Sequence, residues 1–175
     1  MGPISVILFD RDGTLIHDVP YNGDPSMVTP VGTAAAAVLR AKAGGLRTGV
    51  ITNQSGVRRG LITREQVDRV NARVDELLGP FDTWQVCPHG PDDGCGCRKP
   101  APGMIFAACG VLGVGAGQVV VIGDIESDLR AAANAGARAV LVPTPVTRLE
   151  EVQRARVVAP DLGAAVDLVL SEVQR

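Results

Sequence analysis

Leu8-Phe9-Asp10-Arg11-Asp12-Gly13-Thr14-Leu15 is the stretch that decides how this chain is read. The apolar run Ile4 to Phe9 leads into it, and a parallel strand buried on both faces has that composition. Carboxylates at the carboxyl end of such a strand project into the crevice where open α/β sheets bind ligands. Side chains alternate along an extended segment, so Asp10 and Asp12 fall on the same side of the strand end. Gly13 lets the backbone turn tightly there. The arrangement suits a metal-assisted nucleophile at Asp10 with an acid/base at Asp12. A lone D-x-D reads as an acidic turn; the full D-x-D-G-T-L string after a hydrophobic strand is far more specific.

Outward from this stretch the chain alternates strand-like and helix-like segments. Leu46–Asn53, Trp84–Val86, Val119–Gly123 and Ala139–Val142 read as strands. Thr33–Ala43 is Ala-rich and helical. Thr63 with Gln66 forms a capping-box signature, after which Val67, Val70, Val74, Leu77 and Leu78 recur at helical spacing up to Gly79-Pro80. Met104–Leu112, Ser127–Ala135 closed by Gly136, Leu149–Ala155 and Leu162–Val173 are the remaining expected helices. Such alternation implies parallel strand pairing with right-handed crossovers. Gly113-Val114-Gly115-Ala116-Gly117 follows a helix and precedes a strand, the reverse of a dinucleotide-loop context, and reads as an αβ turn.

A chain of 175 residues fits one domain, 1–175, and its 46% hydrophobic and 21% charged content is that of a globular protein. Aromatics are scarce, so the core must rest on Val, Leu, Ala and Ile. A formal charge of −2 argues against nucleic-acid or membrane-surface partners. The N-terminal apolar run is too short for a signal peptide and has no basic segment before it. No stretch approaches the roughly 20 apolar residues of a membrane span. The expectation is a cytoplasmic protein, monomeric, acting on a small molecule.

Three further motifs carry chemistry. Thr52-Asn53-Gln54-Ser55-Gly56 supplies a hydroxyl and small polar groups able to hydrogen-bond a phosphoryl oxygen without adding charge. Arg98-Lys99-Pro100 supplies two cations: Lys99 to neutralise charge developing on a transferring phosphoryl group, Arg98 to grip a phosphate bidentately. Gly123-Asp124 brings a carboxylate next to Asp10, and clustered carboxylates at a phosphate site favour Mg²⁺ between them. Asp128 is expected to act partly as a helix N-cap. Four cysteines are present. Cys87, Cys95 and Cys97 crowd one loop with His89, as C-x-H-x5-C-x-C. Three thiolates and one imidazole are a full tetrahedral set for a closed, structural Zn²⁺ site. This loop, 87–97, runs straight into Arg98-Lys99. Cys109, in an apolar helix, reads as a core thiol, and His17 as a solvated loop residue.

In order, strand-end Asp, strand-end Thr, Lys-Pro and strand-end Gly-Asp resemble the four motifs of the haloacid-dehalogenase superfamily of aspartate-nucleophile phosphatases. The strings D-R-D-G-T, T-N-Q-S-G-x-x-R-G, C-P-H…C-x-C-R-K-P-x-P-G-M and G-D-x-x-x-D look like two of its small branches, the D-glycero-D-manno-heptose-1,7-bisphosphate 7-phosphatases and the histidinol-phosphate phosphatases. The resemblance implies an α/β fold, a three-layer Rossmann-like parallel sheet with helices on both faces and no large cap domain. It carries Asp10 over as nucleophile, Asp12 as acid/base, and Thr52 and Lys99 as phosphoryl stabilisers. It makes Asp10 and Asp124, with the backbone carbonyl of Asp12, ligands of Mg²⁺. Asp18, Tyr21, Asn53, Gln54, Ser55, Arg59 and Arg98 fall in segments matching substrate-contacting ones. The favoured substrate is the sugar bisphosphate, with histidinol phosphate or another small phosphate ester as alternative. Ile125 stands where heptose enzymes often carry Lys.

Rival classes fit less well. A receiver-type signalling domain lacks the D-x-D-G-T spacing and the zinc loop. A DNA 3′-phosphatase calls for a basic groove, and a zinc-stabilised binding module has no use for Asp10, Asp12 and Asp124 together.

Overall fold

The computed structural model describes residues 2–173. In chain order its regular elements are β1 (Val6–Phe9), α1 (Ala34–Ala43), β2 (Arg47–Asn53), α2 (Arg64–Leu78), β3 (Thr83–Cys87), α3 (Gly103–Leu112), β4 (Val119–Gly123), α4 (Glu126–Ala135), β5 (Arg138–Leu141), α5 (Leu149–Arg154) and α6 (Leu162–Val173). Every expected strand and helix forms, with ends moved by a residue or two. The largest gain is at β3, which runs on to Cys87 and so delivers the first residue of the expected zinc loop directly from the sheet.

The sheet is wholly parallel, in the order β3-β2-β1-β4-β5. Strand alternation sorts the core into two layers. Ile7, Phe9, Val50, Val120 and Ile122 pack on one side with the buried faces of α1, α2 and α6. Val6, Leu8, Ile51, Val119 and Val121 pack on the other with those of α3 and α4. Both faces of the sheet are therefore covered, which is why its strands read as continuous apolar runs rather than alternating ones. The expected capping box holds the start of α2: Thr63 Oγ1 accepts from Gln66 N at 3.2 Å, and Gln66 Oε1 accepts from Thr63 N at 2.7 Å. The glycine-rich stretch is an αβ turn, with Gly113 left-handed (φ 63°) at the end of α3.

This order fixes where a site can lie. From β1 the chain builds outward through β2 and β3, then returns to the other side of β1 with β4. The connections leave β1 and β4 in opposite directions, so a crevice opens beyond their carboxyl ends. Asp10 follows β1 and Asp124 follows β4, and the Asp10 amide donates to the Ile122 carbonyl at 2.9 Å, tying the two strand ends together.

Candidate active site

At that crevice the structure gathers Asp10, Asp124, Asp128 and Lys99, each at most 7% exposed. Lys99 lies between two of the acids. Its Nζ forms an ion pair with Asp10 Oδ1, lies 2.5 Å from Asp128 Oδ1, and donates to the Ile51 carbonyl at 3.2 Å. Asp128 Oδ2 accepts from the Ile125 amide at 3.3 Å, so the capping role expected for Asp128 is real but is only half of what it does. Ionic partnership with Lys99 was the missed part. Its signal was the second acid of G-D-x-x-x-D, one helical turn beyond Asp124.

The electrostatics follow from burial. Burial pushes the Asp10 carboxyl well above the ordinary carboxylate range; Lys99 opposes this, while Asp128, Asp124 and Asp12 add to it. Burial, reinforced by Asp128, raises Asp124 to about 7. Burial alone would make Lys99 a weaker base, but Asp10 and Asp128 outweigh it and hold its ammonium above the usual lysine value. Three buried carboxyl groups thus stand around one buried ammonium, and ionising all three would leave an excess of negative charge.

That excess is the test of whether a divalent cation belongs here. One carboxylate oxygen from each of Asp10, Asp124 and Asp128 falls within 4.8 Å of the others. Hard oxygen ligands in that density suit Mg²⁺. Gly13 keeps the space open: it sits at φ +83°, and a Cβ there would stand 2.4 Å from Asp124 Oδ2. The residues fit the ion.

A cavity of about 400 Å³ opens onto these groups. Asp10, Asp12, Thr52, Lys99 and Asp124 line it, as do Asp18, Tyr21, Asn53, Gln54 and Ser55. The polar residues after β2 have definite tasks. Gln54 Nε2 donates to Asp12 Oδ2 and to Thr52 Oγ1, both at 2.8 Å. Asn53 closes a two-way clamp on the Lys99 backbone, Nδ2 donating to its carbonyl at 3.2 Å and Oδ1 accepting from its amide at 3.1 Å. Tyr21 packs its ring against Gly56, where a Cβ would come within 2.7 Å. Arg59 lies behind it, donating to the Tyr21 hydroxyl at 2.9 Å. Arg98 turns towards the cysteine loop and donates to the His89 carbonyl at 3.3 Å.

The cysteine loop closes on itself as its spacing implied. Cys97 Sγ is 3.1 Å from Cys87 Sγ, 3.6 Å from Cys95 Sγ and 3.2 Å from His89 Nδ1. Cys87 Sγ is 3.7 Å from Cys95 Sγ and 3.6 Å from His89 Nδ1. A tetrahedral zinc with thiolates at its usual distance has sulfur–sulfur edges of roughly 3.8 Å, so the donor set fits. Without a metal, burial and the neighbouring Cys97 thiol raise Cys87 to about 12, which makes a lone thiolate there unfavourable. Cys109 is buried in α3, a core thiol as expected, and His17 is exposed.

A parallel α/β sheet with an Asp-x-Asp after its central strand, and with Thr, Lys and Asp converging from three other segments, defines a phosphatase of the HAD-like class. Residues 96–168 match the family described as HAD-hydrolase-like. The chain is 33% identical over 178 residues to the D-glycero-beta-D-manno-heptose-1,7-bisphosphate 7-phosphatase of Bordetella bronchiseptica, covering 97% of this chain and 99% of that one. It is 35% identical over 146 residues to the enzyme of the same name from Pseudomonas putida, covering 81% and 83% of the two. The crystal structure of D,D-heptose 1,7-bisphosphate phosphatase from B. bronchiseptica, complexed with magnesium and phosphate, superposes with a TM-score of 0.84 at 30% identity over 97% of this chain and 99% of that one. A putative HAD-like phosphatase from Mesorhizobium loti superposes at 0.79 with 27% identity, covering 98% and 87%. The chain belongs to the HAD-like hydrolase family, among the phosphatases related to these heptose-bisphosphate enzymes.

Proposed function

We propose that this chain removes the 7-phosphate of D-glycero-D-manno-heptose 1,7-bisphosphate through an aspartyl-phosphate on Asp10. The observation that carries the reading is the convergence of Asp10, Thr52, Lys99 and Asp124 on one cavity, with Asp12 beside them. The names of the relatives supply the substrate.

Asp10 attacks phosphorus in line, and the bond from phosphorus to the sugar oxygen breaks as the new bond to Asp10 forms. Asp12 gives its proton to the leaving oxygen. It then takes a proton from the water that attacks the phosphorus of the aspartyl-phosphate, which releases phosphate and restores Asp10. Lys99 and Thr52 face the equatorial oxygens and stabilise their growing charge. Asp10, Asp124 and the Asp12 backbone carbonyl would hold Mg²⁺, with Asp128 in the same cluster; when bound, the ion neutralises the charge of nucleophile and phosphate together. Arg59 and Arg98 are the cations assigned to the second phosphate; the support for Arg59 is its bond to the cavity residue Tyr21. Asp18 completes the proposed substrate wall. The Cys87, His89, Cys95, Cys97 set holds a structural zinc that stiffens the approach to Lys99.

The working unit proposed is a single domain spanning 1–175, acting as a monomer. Free thiols in the metal loop call for a reducing compartment, which supports the cytoplasm. Among the described residues no helix is long and apolar enough to cross a membrane.

A panel of phosphorylated metabolites scored by kcat/KM tests the assignment. The sugar bisphosphate should exceed histidinol phosphate by at least roughly tenfold, about 1.4 kcal/mol of transition-state binding. Arg98→Ala should remove most of that preference while sparing a small aryl phosphate. Equal efficiency on histidinol phosphate would overturn the substrate.

A further inference from the structure

Arg11 is the largest fully buried side chain among the described residues, at 1% exposure, and in sequence it separates the proposed nucleophile from the proposed acid. A guanidinium taken out of water must find partners for its N–H groups. It finds them on two residues. Nε and Nη2 reach Asp12, at 3.1 Å to Oδ1 and 3.0 Å to Oδ2. Nη1 reaches Asn71 Oδ1 at 2.6 Å, across a sequence separation of 60.

Asn71 is itself out of place. It is buried in the stripe of α2 formed by Val67, Val70, Val74 and Leu78. Packing against the apolar layer gives no reason for an amide there; the Arg11 guanidinium does. The planar fork holds Asp12 in one orientation only while its far nitrogen is fixed. Gln54 steadies the same carboxylate from the β2 side.

We infer that Asn71 is a positioning residue for proton transfer: through Arg11 it fixes the orientation in which Asp12 delivers its proton to the leaving oxygen. The inference rests on the phosphatase reading above and adds a remote residue to it. Asn71 lines neither the cavity nor the acid cluster.

The test separates positioning from general loosening by the demand each ester makes on the acid. An alkyl phosphate needs its leaving oxygen protonated; para-nitrophenyl phosphate, whose leaving group is stable as the anion, does not. The constant kcat/KM covers only the steps up to loss of the leaving group, so the later hydrolysis does not blur the comparison. Asn71→Leu keeps the shape, removes the acceptor and favours the helix. It should lower kcat/KM for an alkyl phosphate by at least about tenfold while leaving the aryl ester within about twofold, a fraction of what general acid catalysis contributes. Asn71→Asp restores an acceptor of the same size and should restore the alkyl ester. An equal loss on both esters, or no loss on either, would overturn the inference. If Asn71→Leu fails to fold, Asn71→Ser supplies the ratio, with the same two results counting against it. Turnover of neither ester by the unaltered chain with Mg²⁺ would overturn the phosphatase reading itself, and the inference with it.

Discussion

Lys99 and Asp128 meet in the interior with Nζ 2.5 Å from Oδ1, and the same ammonium is ion-paired to Asp10. The lysine is therefore shared between a helix carboxylate and the proposed nucleophile. How its charge is divided between the two sets how much of the Asp10 charge is free to attack.

Asp128→Asn should shift that balance. Without its second partner, Lys99 is drawn wholly onto Asp10, and turnover should fall by about a hundredfold, the scale of one lost charge-stabilising group. Removing one partner of a buried pair ordinarily costs about 3–5 kcal/mol. Here repulsion among the acids is relieved at the same time, so urea unfolding of the magnesium-free variant should show a smaller loss. Near-normal turnover would refute the shared-lysine account.

Gly13→Ala addresses the metal cradle. The position is left-handed at φ +83°, and the added Cβ would stand 2.4 Å from Asp124 Oδ2. Forcing alanine into that conformation costs about 1–2 kcal/mol, and Asp124 must swing aside. The Mg²⁺ concentration for half-maximal activity should rise by at least roughly tenfold. An unchanged magnesium titration would show that Asp124 does not work from where it stands.

Elemental analysis should find about one zinc per chain, held by four protein ligands. Cys97→Ser removes the thiol that lies nearest both Cys87 and His89. It should abolish zinc retention and speed amide exchange across residues 87–99. Activity should weaken, since the segment that carries Lys99 then loses its anchor on the cysteine side and keeps only the Asn53 clamp and the bonds of its own ammonium. Full activity and stability in zinc-free protein would contradict the structural role.

With zinc retained and no added Mg²⁺, stability should fall as pH rises. Asp124 has an ordinary value of 3.8 and a folded value of about 7. The folded chain therefore binds more protons than the unfolded chain across that window, and unfolding free energy declines through it. Asp10, also raised by burial, acts in the same direction. Magnesium should reverse the trend, because it binds the ionised acids and stabilises the folded state by mass action. The comparison is urea midpoints near pH 5 and pH 8, with and without Mg²⁺. A magnesium effect no larger at the higher pH would count against the acid cluster as its site.

The elements of this protein were legible because their signals are local. An apolar run bounded by a turn residue reports a buried parallel strand whatever surrounds it, and Thr63 with Gln66 caps α2 through bonds spanning three residues. The strand-end Asp, Thr and Asp were legible for the same reason: each is the residue its own strand delivers to the crevice. The cysteine loop was legible because its ligands lie within eleven residues, Cys87 to Cys97. What the sequence did not disclose depends on which helix lies over which strand end. The Lys99–Asp128 pair joins the end of the cysteine loop to the first turn of α4. The Asn53 clamp on Lys99, the Gln54 bond to Asp12 and the Arg11–Asn71 contact likewise each join segments distant in the chain. In sequence, Asn71 is only a polar residue beside an apolar stripe and Arg11 only a spacer between two acids. Their partnership exists because the strand order 3-2-1-4-5 lays α2 over the loop after β1, where a buried charge must find its hydrogen bonds within the protein.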